Sequence, residues 1–211
     1  YIGSHTTVEL MQKGFDVTIV DNLSNSSIDV LDGIAAIAGR KPDFANIDCC
    51  NFMDLDGVFR QYPDIVGVIH FAASKAVNES VEKPLLYYRN NLGSLVTLLE
   101  VMKLHRVPNI VFSSSCTVYG QPDEAHLPVD ETAPIQTALS PYGNTKQINE
   151  EIIRDEAHAD KSLNATILRY FNPIGAHPSA CIGELPNGVP QNLLPFVTQT
   201  AAGLRPELKV F

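Results

Sequence analysis

The chain has 211 residues, of which 45% are apolar and 18% charged. This is the balance of an ordinary globular protein able to bury a sizeable core, and it excludes disorder, collagen-like repeats, coiled coil and a spanning helix of about 18–20 apolar residues. The net charge of −9 argues against nucleic acid or an anionic membrane as partner, so an anionic ligand would need local dipoles and one or two cations.

Tyr1 to Gly14 reads as a helix, with Ser4 as a possible cap, Val8, Leu10 and Met11 as apolar positions and Gly14 as the stop. A short β-rich run, Phe15 to Asn22, follows. Residues 23–45 read as loop around a helical stretch at Leu31–Ala38, with a second strand at Asp43–Asp48 and a helix over 51–62. Ile65 to Ala73 is almost continuously apolar, as suits a strand buried on both faces of a parallel sheet.

Residues 84–105 carry helical periodicity through Leu92, Leu95, Val96, Leu98, Leu99, Val101 and Met102. They lead into a strand, Asn109 to Ser115, that ends in three hydroxyls. A proline-rich acidic loop (Pro122, Pro128, Pro134) precedes a helix over 142–158, a strand at Ala165–Tyr170, an irregular proline-bearing stretch and a helix near 191–203. Strands alternating with helices at this spacing predict an α/β, doubly wound, mostly parallel sheet.

Cys49, Cys50, Cys116 and Cys181 lack CxxC spacing and scaffold density, which predicts reduced thiols in a cytoplasmic protein. The six histidines show no paired ligand spacing, so no metal is expected. No secretory leader is read at the start of the chain.

Gly3 stands where a phosphate-cradling glycine lies before a first helix. Asp21 follows 18 residues later, at the end of the next strand, where a carboxylate hydrogen-bonds an adenosine ribose. A carboxylate there selects NAD over NADP, since an added phosphate would meet like charge. The front of the glycine fingerprint and its strand would have to precede Tyr1, so residues are expected before it.

Tyr142 and Lys146, at i and i+4, project from one helix face. A phenol acting as base near neutrality needs its pKa lowered by about three units, or ~4 kcal/mol. A nearby ammonium can supply part of that. Ser115, at the carboxyl end of a parallel strand, stands where doubly wound sheets place ligands. These residues predict Tyr142 as general base and acid, Lys146 as electrostatic tuner and Ser115 as partner of a reacting hydroxyl. Lys75 could face a pyrophosphate and Asn90 could reach the sheet-end crevice; an ordinary surface role fits either equally well.

These residues, with His70 to Val77, Glu79 to Leu85, Ser113 to Gly120, Ser140 to Lys146, Leu168 to Ser179 and Gly188 to Pro195, resemble the extended short-chain dehydrogenase/reductase family and, within it, the UDP-glucose 4-epimerases. The resemblance implies a Rossmann domain over 1–171 and the start of a smaller substrate domain over 172–211. It implies that Tyr1, Ile2, Asp21, Asn22, Leu23, Ser24, Asn25 and Ser26 line an NAD site. Asp48, Cys49, Phe71, Ala72, Ala73, Ser74, Lys75, Asn90 and Phe171 would join them, with Ser115, Tyr142 and Lys146 also touching the cofactor.

By the same resemblance Ser115, Tyr142 and Lys146 are catalytic. Lys75, Ser113, Ser114, Ser115, Tyr142, Asn172, Asn192, Leu193, Lys209, Val210 and Phe211 would begin the site for UDP-galactose or UDP-glucose. The implied reaction is reversible oxidation at sugar C4 with NAD retained, in a homodimer packed through the helices near 84–105 and 142–158. Cys116 departs mildly from the family's usual alanine. A 4,6-dehydratase would need an Asp-Glu pair where Cys116-Thr117 stand, and a non-catalytic NAD sensor would usually lack the Tyr/Lys pair; a UDP-glucuronate decarboxylase fits the strings less well but stays open as the alternative.

Overall fold

A computed structural model describes residues 1–190 and 192–208. Its elements in chain order are α1 (Ile2–Gln12), β1 (Thr18–Val20), α2 (Val30–Ala38), β2 (Asp43–Ala45), α3 (Phe52–Gln61), β3 (Val68–His70), α4 (Val77–Glu82), α5 (Pro84–Leu104), β4 (Asn109–Ser113), α6 (Pro141–Ala159), β5 (Asn164–Leu168) and α7 (Leu193–Ala201), with a 3-10 turn at Cys116–Tyr119. Every strand pairing is parallel: β1 with β2 in one sheet, and β3-β4-β5 in the other. The α/β alternation read from the sequence is the architecture found. Among the described residues no helix is long and apolar enough to cross a membrane.

The chain forms two compact units, Tyr1–Asn46 with Asn172–Phe211, and Ile47–Phe171. In the first, Val8 and Met11 of α1 pack with Leu31 and Ile34 of α2 and with Ile182. Gly33 makes this possible, since a Cβ there would overlap the Cys181 carbonyl oxygen and the Ile182 side chain. Helix α1 begins one residue after Tyr1, so Ser4 is not its cap; the Ser4 hydroxyl donates back to the Tyr1 carbonyl at 2.7 Å. Gly3 likewise lies inside the first turn rather than ahead of it.

In the second unit, β4 runs through the middle, with Ile110 and Phe112 buried. His70 registers with Phe112 and Ser113 with Leu168, which brings the carboxyl ends of β3, β4 and β5 side by side. Beyond the ladder, Ser114 N–H donates to Leu168 O (2.8 Å) and Cys116 N–H to Tyr170 O (2.7 Å), so the pairing continues into the segment that carries the hydroxyls.

Helix α6 starts at Pro141, with the Ser140 hydroxyl accepting from Gly143 N–H at 3.1 Å. That is a capped start with proline at the first helical position, and it fixes the phase of Tyr142 and Lys146. Helix α4 was not expected from the sequence. At six residues it is too short for periodicity to register, and it is fixed by Tyr87, whose hydroxyl accepts from Ala76 N–H (3.0 Å) and donates to Glu79 (2.9 Å).

Candidate active site

Ser115, Tyr142 and Lys146 all lie in the second unit, at the carboxyl end of its sheet. Ser115 follows β4 and caps the 3-10 turn. Its Oγ accepts from the Thr117 N–H (3.2 Å) and the Thr117 hydroxyl (3.0 Å), which leaves its own proton to point elsewhere. Burial raises the pKa of the Tyr142 phenol, a hydrogen bond with Ser115 pulls it back, and the nearby Cys116 and Tyr170 push it up again. A donor to the phenol oxygen favours the ionised form, which is the sense a general base needs.

Lys146 is buried, and its ammonium donates to the Ser113 carbonyl at 2.6 Å, 4.9 Å from the Phe112 ring centroid and 5.8 Å from that of Tyr142. Desolvation pushes its pKa down to about 8, against an opposing pull from Glu150. The sequence reading made Lys146 the tuner of the phenol. The ammonium donates to the Ser113 carbonyl beside the Tyr142 ring, and Ser115 is the group whose hydrogen bond lowers the Tyr142 phenol. Among the described residues the hydrogen-bond partner of Lys146 is that single carbonyl, so an ammonium with three donors retains two for a ligand.

The remaining residues of this unit fall as follows. Ser113 and Ser114 are buried; the Ser114 hydroxyl donates to Glu150 at 2.5 Å, and a hydrogen bond with Ser113 lowers the pKa of Tyr170 against the larger effect of burial. Asn90 donates to the Ser74 hydroxyl (3.3 Å), while Asn91 accepts from Ser74 N–H (2.8 Å) and donates to Ser74 O (3.0 Å), clamping the segment after β3. Phe71, Ala72, Ala73, Ser74 and Lys75 form that segment. Asp48 accepts from Cys50 N–H at 2.8 Å, next to Cys49, and Phe171 is exposed.

In the first unit, Asp21 closes β1, and one carboxylate oxygen accepts from Leu23 N–H (2.7 Å) and the Ser26 hydroxyl (2.9 Å). In this turn Leu23 sits at φ +55°, and the Ser24 N–H donates to Asn22 Oδ1 at 3.0 Å. Both bonds to Asp21 fall on the same oxygen, so the other is available to a diol. Tyr1 donates to the Gly175 carbonyl at 2.7 Å and stacks edge-on against His5. Ile2 opens α1, whose first-turn N–H groups suit a phosphate. Asn172 is exposed, and Asn192 stands at the N-cap position of α7 ahead of Leu193, its side-chain amide donating to Glu184 rather than capping the helix. Lys209, Val210 and Phe211 lie outside the described residues.

Residues 1–209 match the profile of the "NAD dependent epimerase/dehydratase family". The chain belongs to that family. It is 49% identical over 211 residues to the UDP-glucose 4-epimerase of Dictyostelium discoideum, which covers 100% of the chain and 60% of that protein. It is 48% identical to the human enzyme of the same name, covering 100% of the chain and 62% of the relative. Among solved structures, the UDP-glucose 4-epimerase of Bifidobacterium longum with NAD+ and UDP superposes with a TM-score of 0.93 at 47% identity, covering 96% of the chain and 60% of that structure. The enzyme from Stenotrophomonas maltophila, with bound NAD and formylated UDP-arabinopyranose, gives 0.94 at 46%, over 100% and 62%. The chain thus spans about three fifths of the length of these relatives.

The sequence reading missed Glu150, Arg169, Thr117 and His70. Glu150 and Arg154 continue the i, i+4 spacing of Tyr142 and Lys146, and that continuation was the available signal. His70 is buried against Phe112, its pKa pushed down to about 3 by burial and by Lys146, so it is a neutral imidazole.

Proposed function

We propose that the full-length protein interconverts UDP-galactose and UDP-glucose through a transient 4-keto sugar, with NAD as a retained cofactor. The residues fit NAD: a carboxylate turn at Asp21 suited to a ribose diol, and an ammonium at Lys146 with donors to spare. Lys146 and Asn90 would hold the nicotinamide half, and Asp21 with its turn the adenosine half. When bound, NAD supplies a hydride acceptor that returns the hydride within one turnover, so net redox change is zero.

The chain's own residues handle the proton. Tyr142 Oη takes the C4 hydroxyl proton as the bond to the ketone develops, and gives it back when the hydride returns to the opposite face. Ser115 donates to that oxygen and steadies the phenolate, while Thr117 holds Ser115 in orientation. A buried positive charge at Lys146 favours the phenolate further. The runner-up, a 4,6-dehydratase, would need an acid and a base after Ser115. Cys116 has a pKa raised by burial, and Thr117 has its hydroxyl on Ser115.

We assign residues 1–171 to cofactor binding and 172–211 to the beginning of the UDP-sugar part. We assign the dimer contact to α5 and α6, since α5 leaves Leu85, Leu86, Val96 and Leu104 exposed. The observation that carries the proposal is the Ser115–Tyr142–Lys146 constellation at the sheet's carboxyl end in a chain about half identical to UDP-glucose 4-epimerases. Full-length protein given UDP-galactose should form UDP-glucose without added NAD. Tyr142→Phe should cut turnover by about 10²–10⁴-fold; full activity in that variant removes the base assignment.

A further inference from the structure

Helix α6 carries a stripe at four-residue intervals: Tyr142, Lys146, Glu150 and Arg154. A charge run on a helix usually faces water, but the Glu150 side chain is fully buried. It accepts four hydrogen bonds. Oε1 takes the Ser114 hydroxyl (2.5 Å) and Arg169 Nε (2.9 Å); Oε2 takes Arg169 Nη2 (2.7 Å) and Arg154 Nη2 (2.6 Å). The Arg169 pair is bidentate, the geometry that fixes a guanidinium in orientation as well as place. Arg169 in turn donates to the Tyr119 hydroxyl at 3.1 Å.

One carboxylate therefore ties together three pieces of the candidate site: the β4 end through Ser114, next to Ser115; the β5 end through Arg169, next to Tyr170; and the 3-10 turn through Tyr119. All three are anchored to the helix that carries Tyr142 and Lys146. We propose that Glu150 is a positioning residue of the reaction, which fixes Ser114 and Arg169 against α6 and supplies the counter-charge one helical turn from the Lys146 ammonium. This rests on the epimerase reading above.

The charges bear this out. Burial alone would push the Glu150 carboxyl up, but hydrogen bonds from Arg169 and Ser114 and the two guanidinium charges hold it below its ordinary range, so it is an anion at neutral pH. The titratable groups facing Lys146 are His70 from β3 and Glu150 on its own helix, with the Tyr142 ring alongside. Those facing Tyr142 are Cys116, Tyr170 and Tyr87, the last hydrogen-bonded to Glu79 of α4. Glu150 is the only carboxylate among them that acts on Lys146 among the described residues, and it opposes the desolvation of that ammonium.

The test uses the full-length protein and four forms: wild type, Glu150→Gln, Glu150→Asp and Ser114→Ala. Glu150→Gln should lower kcat for UDP-galactose by about tenfold or more, with KM changed less than about threefold. The alkaline limb of its kcat–pH profile should move to lower pH, because Lys146 loses its proton more readily; Glu150→Asp, which keeps the charge, should restore the limb. The melting temperature of the protein without added substrate gives a readout independent of turnover. The gap between wild type and Glu150→Gln should narrow from pH 7 to 10, as the Lys146 charge disappears.

A Glu150→Gln protein with the wild-type limb and a pH-independent gap overturns the proposal. If that variant does not fold, Ser114→Ala decides: a several-fold lower kcat at unchanged KM supports positioning, whereas unchanged kcat, or a rise in KM alone, overturns it. A wild type without epimerase activity would sink the functional reading, while the melting gap would still judge the Glu150–Lys146 coupling.

Discussion

Replacing Lys146 with methionine should stabilise the protein while abolishing its turnover. The Lys146 side chain is only 3% exposed, and its pKa falls from 10.5 to about 8 chiefly through desolvation. A depression of that size means that holding the charge in the folded state costs about 3 kcal/mol at pH 7. Methionine fills the same stem volume without the charge. Losing the charged bond to Ser113 O offsets about 2 kcal/mol, which leaves a gain of about 1 kcal/mol and a rise of about 2–4 °C in melting temperature.

The sign can be read against pH. Unfolded lysine titrates near 10.5 and folded Lys146 near 8, so between those values the unfolded chain holds the extra proton and wild-type stability rises with pH. Below about pH 8 the penalty is fully present; above about 10.5 it is gone. Differential scanning calorimetry of wild type and Lys146→Met from pH 7 to 10.5 should show the variant's advantage shrinking across that window. Comparing the two proteins cancels the opposing contributions of Cys50 and the raised tyrosines, which are common to both. A variant less stable than wild type by several degrees at pH 7 would refute the reasoning, because it would mean that the ammonium contributes to the fold.

Acid should act through His70. Folded, its pKa is about 3 through burial first and Lys146 second; unfolded, it is 6.5. Stability is therefore lost as pH falls from 6.5 toward 3, by up to roughly 4–5 kcal/mol, and urea titrations of His70→Gln should show a flatter slope over that range. Two glycines make opposite predictions. Gly57→Ala in α3 meets open space and should stabilise by about 0.5–1 kcal/mol through helix propensity. Gly33→Ala in α2 meets the Cys181 carbonyl and Ile182, and should destabilise by about 1–3 kcal/mol in the same denaturant assay.

Much of the architecture was legible in the residues, for identifiable reasons. The nearly continuous apolar run at 65–73 and the run at 109–115 that ends in hydroxyls read as strands, and they became β3 and β4, although Val68 and Ile69 of β3 are only partly buried. Ser115, Tyr142 and Lys146 were visible because strand ends and i, i+4 spacing have fixed directions in space. The same spacing reached Glu150, but a carboxylate on a charged helix reads as solvated until a sheet end and an arginine from β5 are seen to close over it. Direction also escaped the sequence at Lys146. Spacing placed it beside Tyr142, but it could not show the ammonium turning to the Ser113 carbonyl or burial raising the phenol. The packing of residues 172–208 with 1–46 had no local signal, since it depends on the absent Cβ of Gly33, thirty-three residues into the chain and far in sequence from Cys181.

The central claim is that the hydrogen at sugar C4 leaves and returns inside one closed site, with Tyr142 handling only the proton. UDP-galactose labelled with deuterium at C4 tests it directly. Converted by the full-length protein in ordinary water, it should give UDP-glucose with the deuterium still at C4, as read by NMR or mass spectrometry. Product whose C4 position has exchanged with solvent would contradict it.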